Sequence, residues 1–428
     1  MQFEVEKWSE KWRREMVPEK WCRIYFSPFL RAKNKSGTIS RHHFSLARRQ
    51  THTQNAGMSI TNRTGGQWWD TPGERTEVPL AQARDMATEL LVAAGASRSD
   101  AQFITDVHLA KALQGDHERG VGMLCQQIRA AQAGAVDLAA PVRVLREYGA
   151  TAVVDGGPRA SGKLVCREAM VLAIARARTH GLGWASARAA GEILTPYMEQ
   201  AVQAGMVGMA LMQSLPIVAP HGGIEPLLGN APMGWGIPAG RHAPIIVDMS
   251  LTQTSAKGVQ RAAAEGQPVP DGFLQDAAGQ PTTDPRAFLD PDWLQKGKLV
   301  AQGSLLPIGA GHKGYALIFV VGLLTSLLTD GDFPWNLGPQ APRPQTTGTV
   351  FLALDLAAFG EPAAMRARAD EFIDRLRASP RKEGVDGILY PGERSQALKQ
   401  KGLARGRLEL PQAQWQELTA MWEAKQAK

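Results

Sequence analysis

Residues 303–330 read GSLLPIGAGHKGYALIFVVGLLTSLLTD and place a turn rich in Gly and Pro directly before a long uncharged segment. Glycines let a backbone approach a ligand closely, and the free N–H groups at the start of a helix can bind an anion. The segment therefore predicts a turn that presents His312 and Lys313 at the mouth of a buried helix. Lys313 could contact a phosphate or a carboxylate there, or it could be a solvated lysine at the end of a core helix.

The charge of the chain is concentrated near its start. With 428 residues, of which 44% are apolar, the chain can bury a substantial core and form two or more lobes. Residues 1–57 hold 12 basic and 5 acidic residues, which leaves 36 of each sign in residues 58–428. The net charge of +7 therefore describes the leading segment, and we expect no nucleic-acid partner.

The cysteines and the longest apolar segment indicate the cellular location of the protein. Cys22, Cys125 and Cys166 lack the spacing of a disulfide framework or a metal site, so we expect no metal and a cytoplasmic location. The longest apolar run, from Tyr315 to Leu328, has 14 residues and is too short to cross a bilayer. We therefore expect a buried helix there and no membrane partner.

Residues 1–75 differ from the rest of the chain. They contain five tryptophans and scattered basic residues without a sustained periodicity. One interpretation is a functional extension that binds a partner or a membrane surface. The other, which we adopt, is that translation begins near Met58 and that the segment is a disordered or non-native extension.

From residue 76 onward, segments with helical and strand periodicity alternate. Helices are predicted at 80–91, 99–113, 163–180, 198–205, 361–378 and 412–426. Strands are predicted at 150–155, 183–187, 207–212, 244–248 and 349–355. No Gly-x-Gly-x-x-Gly follows a first strand, so a dinucleotide site cannot be argued from the Rossmann fingerprint.

Several short motifs occur in a fixed order along residues 78–400. They are GDHERGVGMLCQQIRAAQAG (115–134), the turn at 181–183, APHGGIEPLLGNAPMGWGIP (219–238), VDMS (247–250), PTTDP (281–285), LLPIGAGHKGY (305–315) and YPGE (390–393). Taken together, they make the chain resemble the malate/L-lactate dehydrogenase family of the second type. Members of that family are NAD(P)-dependent enzymes that act on 2-hydroxy acids, 2-keto acids or cyclic imino acids.

The resemblance implies an α/β fold that is not of the Rossmann type. A mostly antiparallel sheet would bind the dinucleotide, and a helical lobe would be built from both chain ends. On this basis residues 76–145 form the first part of the helical lobe, residues 146–345 the cofactor-binding domain and residues 346–428 the second part of the lobe. The resemblance also implies a homodimer that acts on a small molecule.

The resemblance assigns the cofactor residues, which would hold NAD or NADP. They are Ser214, Asp248, Met249, Ser250, Lys313, Gly392 and Glu393. Lys313 is also assigned to the catalytic group. The sequence does not choose between NADH and NADPH.

The substrate side departs more from the family. His117 is the first candidate for a catalytic proton donor, because imidazole can exchange a proton near neutral pH, and it matches a family histidine. A lone histidine at a helix break could also be structural. Glu192 falls on the histidine that serves the family as general acid, and a carboxyl group in an apolar pocket can have a raised pKa that suits this role. Glu192 could also be a surface residue. Arg119 is assigned as a replacement cation and Asn230 as a second substrate contact.

The predicted function is therefore an NAD(P)-dependent oxidoreductase. It would reduce a C=O or C=N bond in a small 2-keto acid, a cyclic imino acid or a biosynthetic intermediate. Two alternatives stay open: an ordinary malate- or lactate-type dehydrogenase, and a catalytically silent member that acts as a binding or scaffold subunit.

Overall fold

A computed structural model describes residues 73–291, 300–338 and 346–427. The helices are α1 (Leu80–Ala93), α2 (Arg98–Leu113), α3 (Val121–Gln132), α4 (Gly162–His180), α5 (Thr195–Gln203), α6 (Ala256–Glu265), α7 (His312–Thr329), α8 (Pro362–Arg377), α9 (Glu393–Arg405) and α10 (Gln412–Gln426). The strands are β1 (Arg75–Pro79), β2 (Arg143–Tyr148), β3 (Thr151–Asp155), β4 (Leu182–Ala187), β5 (Met206–Met212), β6 (Met233–Ile237), β7 (Ile245–Met249), β8 (Leu274–Gln275), β9 (Pro281–Thr282), β10 (Ser304–Leu305), β11 (Thr349–Asp355) and β12 (Arg407–Pro411). The interpretation of residues 1–75 as an extension falls, up to residue 72, outside the described residues.

The helical part of the fold draws on both ends of the described chain. Strand β1 pairs with β12 in antiparallel register, with Arg75 opposite Pro411. Helix α1 buries Ala83, Ala87 and Leu90, at the spacing that the sequence predicts for one helical face. Helices α1, α2, α3 and α10 share one apolar core with β12.

A seven-stranded sheet forms the centre of the other part, in the order β2-β3-β4-β11-β5-β6-β7. Strands β3 and β4 are parallel and are connected through α4, whereas the other neighbouring pairs are antiparallel. The α/β class expected from the sequence is therefore the class of the fold, and its main sheet is mixed.

Strand β11 corrects one predicted boundary. Residues 346–428 were expected to form the second part of the helical lobe, but Phe351 of β11 lies opposite Ala185 of β4 and Ala210 of β5. Both edges of β11 are hydrogen-bonded, so this strand belongs to the sheet. The second helical segment can begin only after Asp355.

Helices α4 and α5 cover one face of this sheet. A Cβ atom on Gly183 of β4 would lie 1.9 Å from the carbonyl oxygen of Ala173, so only glycine permits this contact with α4. The rings of Tyr197 in α5 and Phe351 in β11 meet nearly edge-on, with centroids 5.2 Å apart. This packing holds α4 and α5 on the sheet, and both helices contribute to the site described below.

Helix α7 covers part of the opposite face and is longer than the 14-residue run expected from the sequence. It has 18 residues and a mean hydropathy of 1.4, so by length and composition it could cross a membrane, which corrects the expectation that it is too short. A core helix passes the same test, and α7 buries Ile318 and Val321 in the apolar core on this face. Leu317, Val320 and Leu327 remain 48%, 49% and 60% exposed, so α7 also presents an apolar outer face.

Candidate active site

Asp248 lies near the end of β7 and connects three elements. Its Oδ2 accepts hydrogen bonds from the backbone N–H groups of Leu194 at 3.2 Å and Thr195 at 3.0 Å. The same oxygen accepts from the Thr195 hydroxyl at 2.7 Å and from Lys111 Nζ of α2 at 3.1 Å. Burial opposes ionisation, but Lys111 and Thr195 together lower the pKa of Asp248 below its ordinary value. Asp248 is therefore a charged cap for the start of α5.

A second charged pair lies where α4 begins. Lys163, in the first turn of α4, has a side chain that is only 2% exposed and forms an ion pair with Glu192. Gln127 Nε2 of α3 donates a hydrogen bond of 3.1 Å to the same carboxylate oxygen. Glu192 has a backbone φ of 62°, which is unusual for a residue other than glycine. This conformation marks a local constraint at the pair.

The pKa of Glu192 contradicts the role of general acid that the sequence suggested. Burial favours the neutral carboxyl, but the adjacent Lys163 ammonium more than offsets it, and the pKa of Glu192 is lowered. The side chain is 48% exposed, so water also reaches it. The expectation of a raised pKa is therefore wrong. The sequence could not reveal this, since no pattern along the chain indicates that a buried lysine faces this carboxylate.

His108 of α2 adjoins the pair from the helical side. Its Nδ1 lies 2.6 Å from the carbonyl oxygen of Arg119, which can only accept a hydrogen bond, so Nδ1 carries a proton. Burial, together with the charge of Lys163, lowers the pKa of His108 to about 4. The ring is therefore neutral at physiological pH and holds the Arg119 backbone in place.

The turn before α3 brings further charges to the same place. Arg119 Nη1 donates to Asp116 at 3.1 Å, and Glu118 accepts from Arg261 Nη1 of α6 at 2.6 Å. Lys257, also in α6, has a pKa lowered by burial, and the charges that act on it are those of Glu192, Arg119, Glu118 and Asp116. We call Lys163, Glu192, Asp116, Glu118, Arg119 and Lys257 the charge cluster.

His117 points toward the terminal elements. Arg75 Nη1 of β1 lies 2.8 Å from Nε2 of His117, and Gln414 of α10 donates to its carbonyl oxygen at 3.1 Å. Because a guanidinium has no acceptor atom, Nε2 must accept in this contact. His117 is only 4% exposed, and these two contacts tie it to β1 and α10.

Two of the sequence-predicted residues contact each other directly. The Ser214 hydroxyl lies 2.6 Å from Asn230 Oδ1 and accepts from the Asn230 backbone N–H at 2.8 Å. The Asn230 carbonyl accepts from the backbone N–H of Leu251, the residue after Ser250. The fold therefore brings the predicted cofactor contacts Ser214 and Ser250 close to the predicted substrate contact Asn230.

The glycine-rich turn before α7 lies beside the segment that follows β7. The Leu251 carbonyl accepts from the Ile308 N–H at 2.9 Å, and Thr252 pairs with Pro307 in a short antiparallel bridge. A Cβ atom on Gly314 would lie 2.2 Å from the Ile308 carbonyl oxygen, so the turn is packed tightly against the first turn of α7. Lys313 is exposed in that first turn.

The YPGE turn packs against β7 from outside. Gly392 has φ 87°, and a Cβ atom there would lie 2.5 Å from the carbonyl oxygen of Ile246. Glu393 accepts from the Tyr390 N–H at 3.1 Å and forms an ion pair with Arg377. The Glu393 carboxylate is therefore engaged in holding the turn, whereas Gly392 allows its close approach to the sheet.

A cavity of about 720 Å³ lies between the turn before α3, the segment at the end of β7 and α9. Asp116, His117 and Arg119 line it from the helical part, and Met249 and Ser250 line it from the end of β7. Residues of α9 form another wall. A volume of this size is typical of a pocket for a small ligand or a cofactor.

The chain is similar to known dehydrogenases and reductases. Over 310 residues the chain is 32% identical to the L-sulfolactate dehydrogenase of Methanothermobacter thermautotrophicus, covering 71% of this chain and 84% of the relative. It is 31% identical over 325 residues to a Δ¹-pyrroline-2-carboxylate/Δ¹-piperideine-2-carboxylate reductase of Pseudomonas putida, covering 74% and 89%. The solved structure of sulfolactate dehydrogenase from Methanocaldococcus jannaschii matches with a TM-score of 0.71 at 26% identity, covering 82% of this chain and 97% of that one.

The fold, the cavity with its charged lining and these relatives define an oxidoreductase. The chain belongs to the malate/L-lactate dehydrogenase family, whose model matches residues 78–419. The resemblance inferred from the short motifs is thereby confirmed, and a catalytically silent scaffold finds no support among these relatives.

Sequence reasoning missed Lys163, His108, Lys111 and Lys257. Each is a single residue on a helix, without a motif around it. Lys163 carries one signal that could have been read, because it stands beside Leu164, Val165 and Cys166 at the buried start of an amphipathic helix. A charge at such a position needs a partner in the fold.

Proposed function

We propose that this chain transfers a hydride from NADH or NADPH to the C=O or C=N carbon of a small 2-keto acid or cyclic imino acid. The charge cluster beside the end of β7 carries this proposal. Its Arg119 supplies a cation for a substrate carboxylate within the cavity that Met249 and Ser250 also line. The dehydrogenases and imino acid reductases among the relatives support the same reaction.

The residues around the end of β7 fit a dinucleotide. We propose that Ser214, Met249, Ser250 and Gly392 contact it and that Lys313 meets its pyrophosphate, since Lys313 is exposed in the first turn of a helix. When bound, the nicotinamide supplies the hydride. Asp248 and Glu393 engage their carboxylates within the protein, so we propose that they hold β7, α5 and the YPGE turn in position around the cofactor.

On the substrate side we propose that Arg119 binds the carboxylate. Its guanidinium is oriented by Asp116 and lines the cavity. Asn230, bonded to Ser214, would contact the substrate from the cofactor side. Glu192 is held as an anion by Lys163, so we propose that it orients a polar group of the substrate and keeps the charge of Lys163 balanced.

Reduction also requires a proton for the substrate oxygen or nitrogen. Glu192 is ionised, and Nε2 of His117 accepts from Arg75, so neither presents an acidic proton in this arrangement. We propose Lys257 as the donor, because burial lowers its pKa and it lies in the charge cluster within reach of the charge of Arg119, which lines the cavity. The ammonium would give its proton to the heteroatom and regain one from solvent, and His117 is the competing donor.

We also propose a homodimer in a reducing compartment such as the cytoplasm. The apolar outer face of α7, with Leu327 60% exposed, supports a partner that covers it, and a second copy of this chain is the simplest one. Cys125 and Cys166 are buried and unpaired, which agrees with a reducing environment.

The test is NADH and NADPH oxidation with a panel of pyruvate, oxaloacetate, sulfopyruvate, Δ¹-pyrroline-2-carboxylate and Δ¹-piperideine-2-carboxylate. Turnover with at least one of them is expected. Turnover restricted to pyruvate and oxaloacetate would identify an ordinary lactate- or malate-type enzyme. Binding of NAD(P)H without turnover on the whole panel would contradict the substrate class, and failure to bind either dinucleotide would contradict the cofactor assignment.

A further inference from the structure

One wall of the 720 Å³ cavity is a single face of α9. Arg394, Leu398, Lys401 and Arg405 all line the cavity and recur at intervals of three and four residues. Residues at this spacing lie one above another on a helix. Helix α9 therefore presents a row of cations along the cavity.

The lining as a whole carries more positive than negative groups. Its cations are Arg75, Arg119, Arg394, Lys401, Arg405 and Arg407, and its carboxylates are Glu77, Asp116, Glu118 and Glu409. Each carboxylate already has a cationic partner. The pairs are Glu77 with Arg405 and Arg407, Asp116 with Arg119, Glu118 with Arg261, and Glu409 with Arg75.

Arg394 and Lys401 are left over from this pairing. Among residues 73–291, 300–338 and 346–427, neither forms an ion pair within 4.0 Å. Both are exposed, and both line the cavity. Two uncompensated cations two helical turns apart attract an anion with more than one charge.

This row of cations shares its cavity with the proposed cofactor contacts. Met249 and Ser250 line the same space, and Arg394 directly follows the Gly392–Glu393 turn that packs on β7. An anionic group at Arg394 and Lys401 could therefore belong to the same ligand that contacts the end of β7.

We propose that Arg394 and Lys401 bind the 2′-phosphate of NADPH and so make this enzyme prefer NADPH to NADH. This inference rests on the proposed function. A phosphate monoester carries about −1.5 to −2 charges at neutral pH and three strong acceptor oxygens, whereas NADH has a neutral hydroxyl at that position. Arginine matches phosphate oxygens with its planar fork, and lysine adds a compact charge.

The experiment measures how much the 2′-phosphate contributes to binding, and it does not depend on turnover. Calorimetry on the full chain compares ADP-ribose with 2′-phospho-ADP-ribose, for the wild type, Arg394→Ala, Lys401→Ala and the double variant. Arg368→Ala, an exposed arginine on α8 outside the cavity lining, is the matched control. Circular dichroism and unfolding midpoints verify that each variant is folded.

The wild type should bind the phosphorylated ligand about 100-fold more tightly, and each single variant should lose about tenfold for that ligand only. The double variant should bind both ligands equally, and Arg368→Ala should match the wild type. Equal binding of both ligands by the wild type would overturn the inference while leaving dinucleotide binding intact. An equal loss for both ligands in the variants would place these cations on the pyrophosphate instead. If neither ligand binds, and NADH and NADPH do not bind either, the proposed function itself fails.

Discussion

The side chain of Lys163 is 2% exposed, and the side chain of its ion-pair partner Glu192 is 48% exposed. The two halves of this ion pair therefore stand in unequal environments. Removing the carboxylate leaves a charge in the interior, whereas removing the ammonium leaves a carboxylate that water can reach. Substitutions of the two residues should therefore differ in their effect on the free energy of unfolding.

We first predict that Glu192→Gln destabilises the fold more than Lys163→Met does. A buried charge without its partner is costly, while replacing the buried cation by an apolar side chain of similar length can be nearly neutral. After allowing for solvent screening at Glu192, we expect Glu192→Gln to lower the free energy of unfolding by about 1–3 kcal/mol. Urea unfolding at pH 7 measures both variants. A larger loss in Lys163→Met would show that the ammonium is not buried as described.

The second prediction concerns His108 and pH. Its pKa is about 4 in the fold and 6.5 as the ordinary value, so below pH 6.5 the unfolded chain binds more protons than the folded one. The contribution of His108 is therefore fully present above pH 6.5 and is lost as pH falls toward 4, by about 3 kcal/mol in all.

Urea unfolding at several values between pH 7 and pH 4.5 tests this window. His108→Gln should flatten the decline of the unfolding free energy relative to the wild type. The same dependence of the unfolding free energy on pH in both proteins would mean that burial in the fold does not lower the pKa of His108.

The third prediction concerns proton delivery. If Lys257 is the donor, the reduction rate should fall as pH rises through its lowered pKa, because the neutral amine has no acidic proton to give. Lys257→Met should lose about 100-fold or more in kcat and retain NAD(P)H binding. His117→Asn is measured alongside. Loss of turnover in His117→Asn with little change in Lys257→Met would assign the proton to His117.

The fourth prediction concerns Lys313. Lys313→Ala should weaken NADH and NADPH binding to the same extent, by about 1–2 kcal/mol, since the pyrophosphate is common to both dinucleotides. Titration of NAD(P)H fluorescence measures this change. Lys382→Ala, a lysine far along the chain in the segment after α8, serves as the control. Unchanged affinity in Lys313→Ala would remove it from the cofactor site.

The fifth prediction concerns the outer face of α7. Leu327→Glu should convert a homodimer to a monomer, because a carboxylate would be buried in an apolar contact without a partner. Leu389→Glu changes a side chain of similar exposure, 58%, that lies outside α7. Analytical ultracentrifugation of the wild type and both variants measures the oligomeric state. A wild type that sediments as a monomer, or a Leu327→Glu variant that remains dimeric, would contradict the proposed interface.

The periodicity of apolar residues predicted those helices and strands whose bounds depend on neighbouring residues in the chain. Strand 349–355 matches β11, and the helix at 99–113 matches α2 within one residue. The start of α5 was placed at residue 198, whereas the helix begins at Thr195. Its cap comes from Asp248, 53 residues later in the chain, and a periodicity argument cannot detect such a partner.

The family and the α/β class could be predicted from the order of residues alone, because they depend on motifs whose members lie close together along the chain. The charge state of Glu192 could not be predicted in this way. Lys163 is 29 residues away in the chain, and it faces Glu192 only after α4 has packed on the sheet. The pKa of a carboxyl group depends on the charges and the solvent within a few ångströms of it, and those neighbours are fixed by packing.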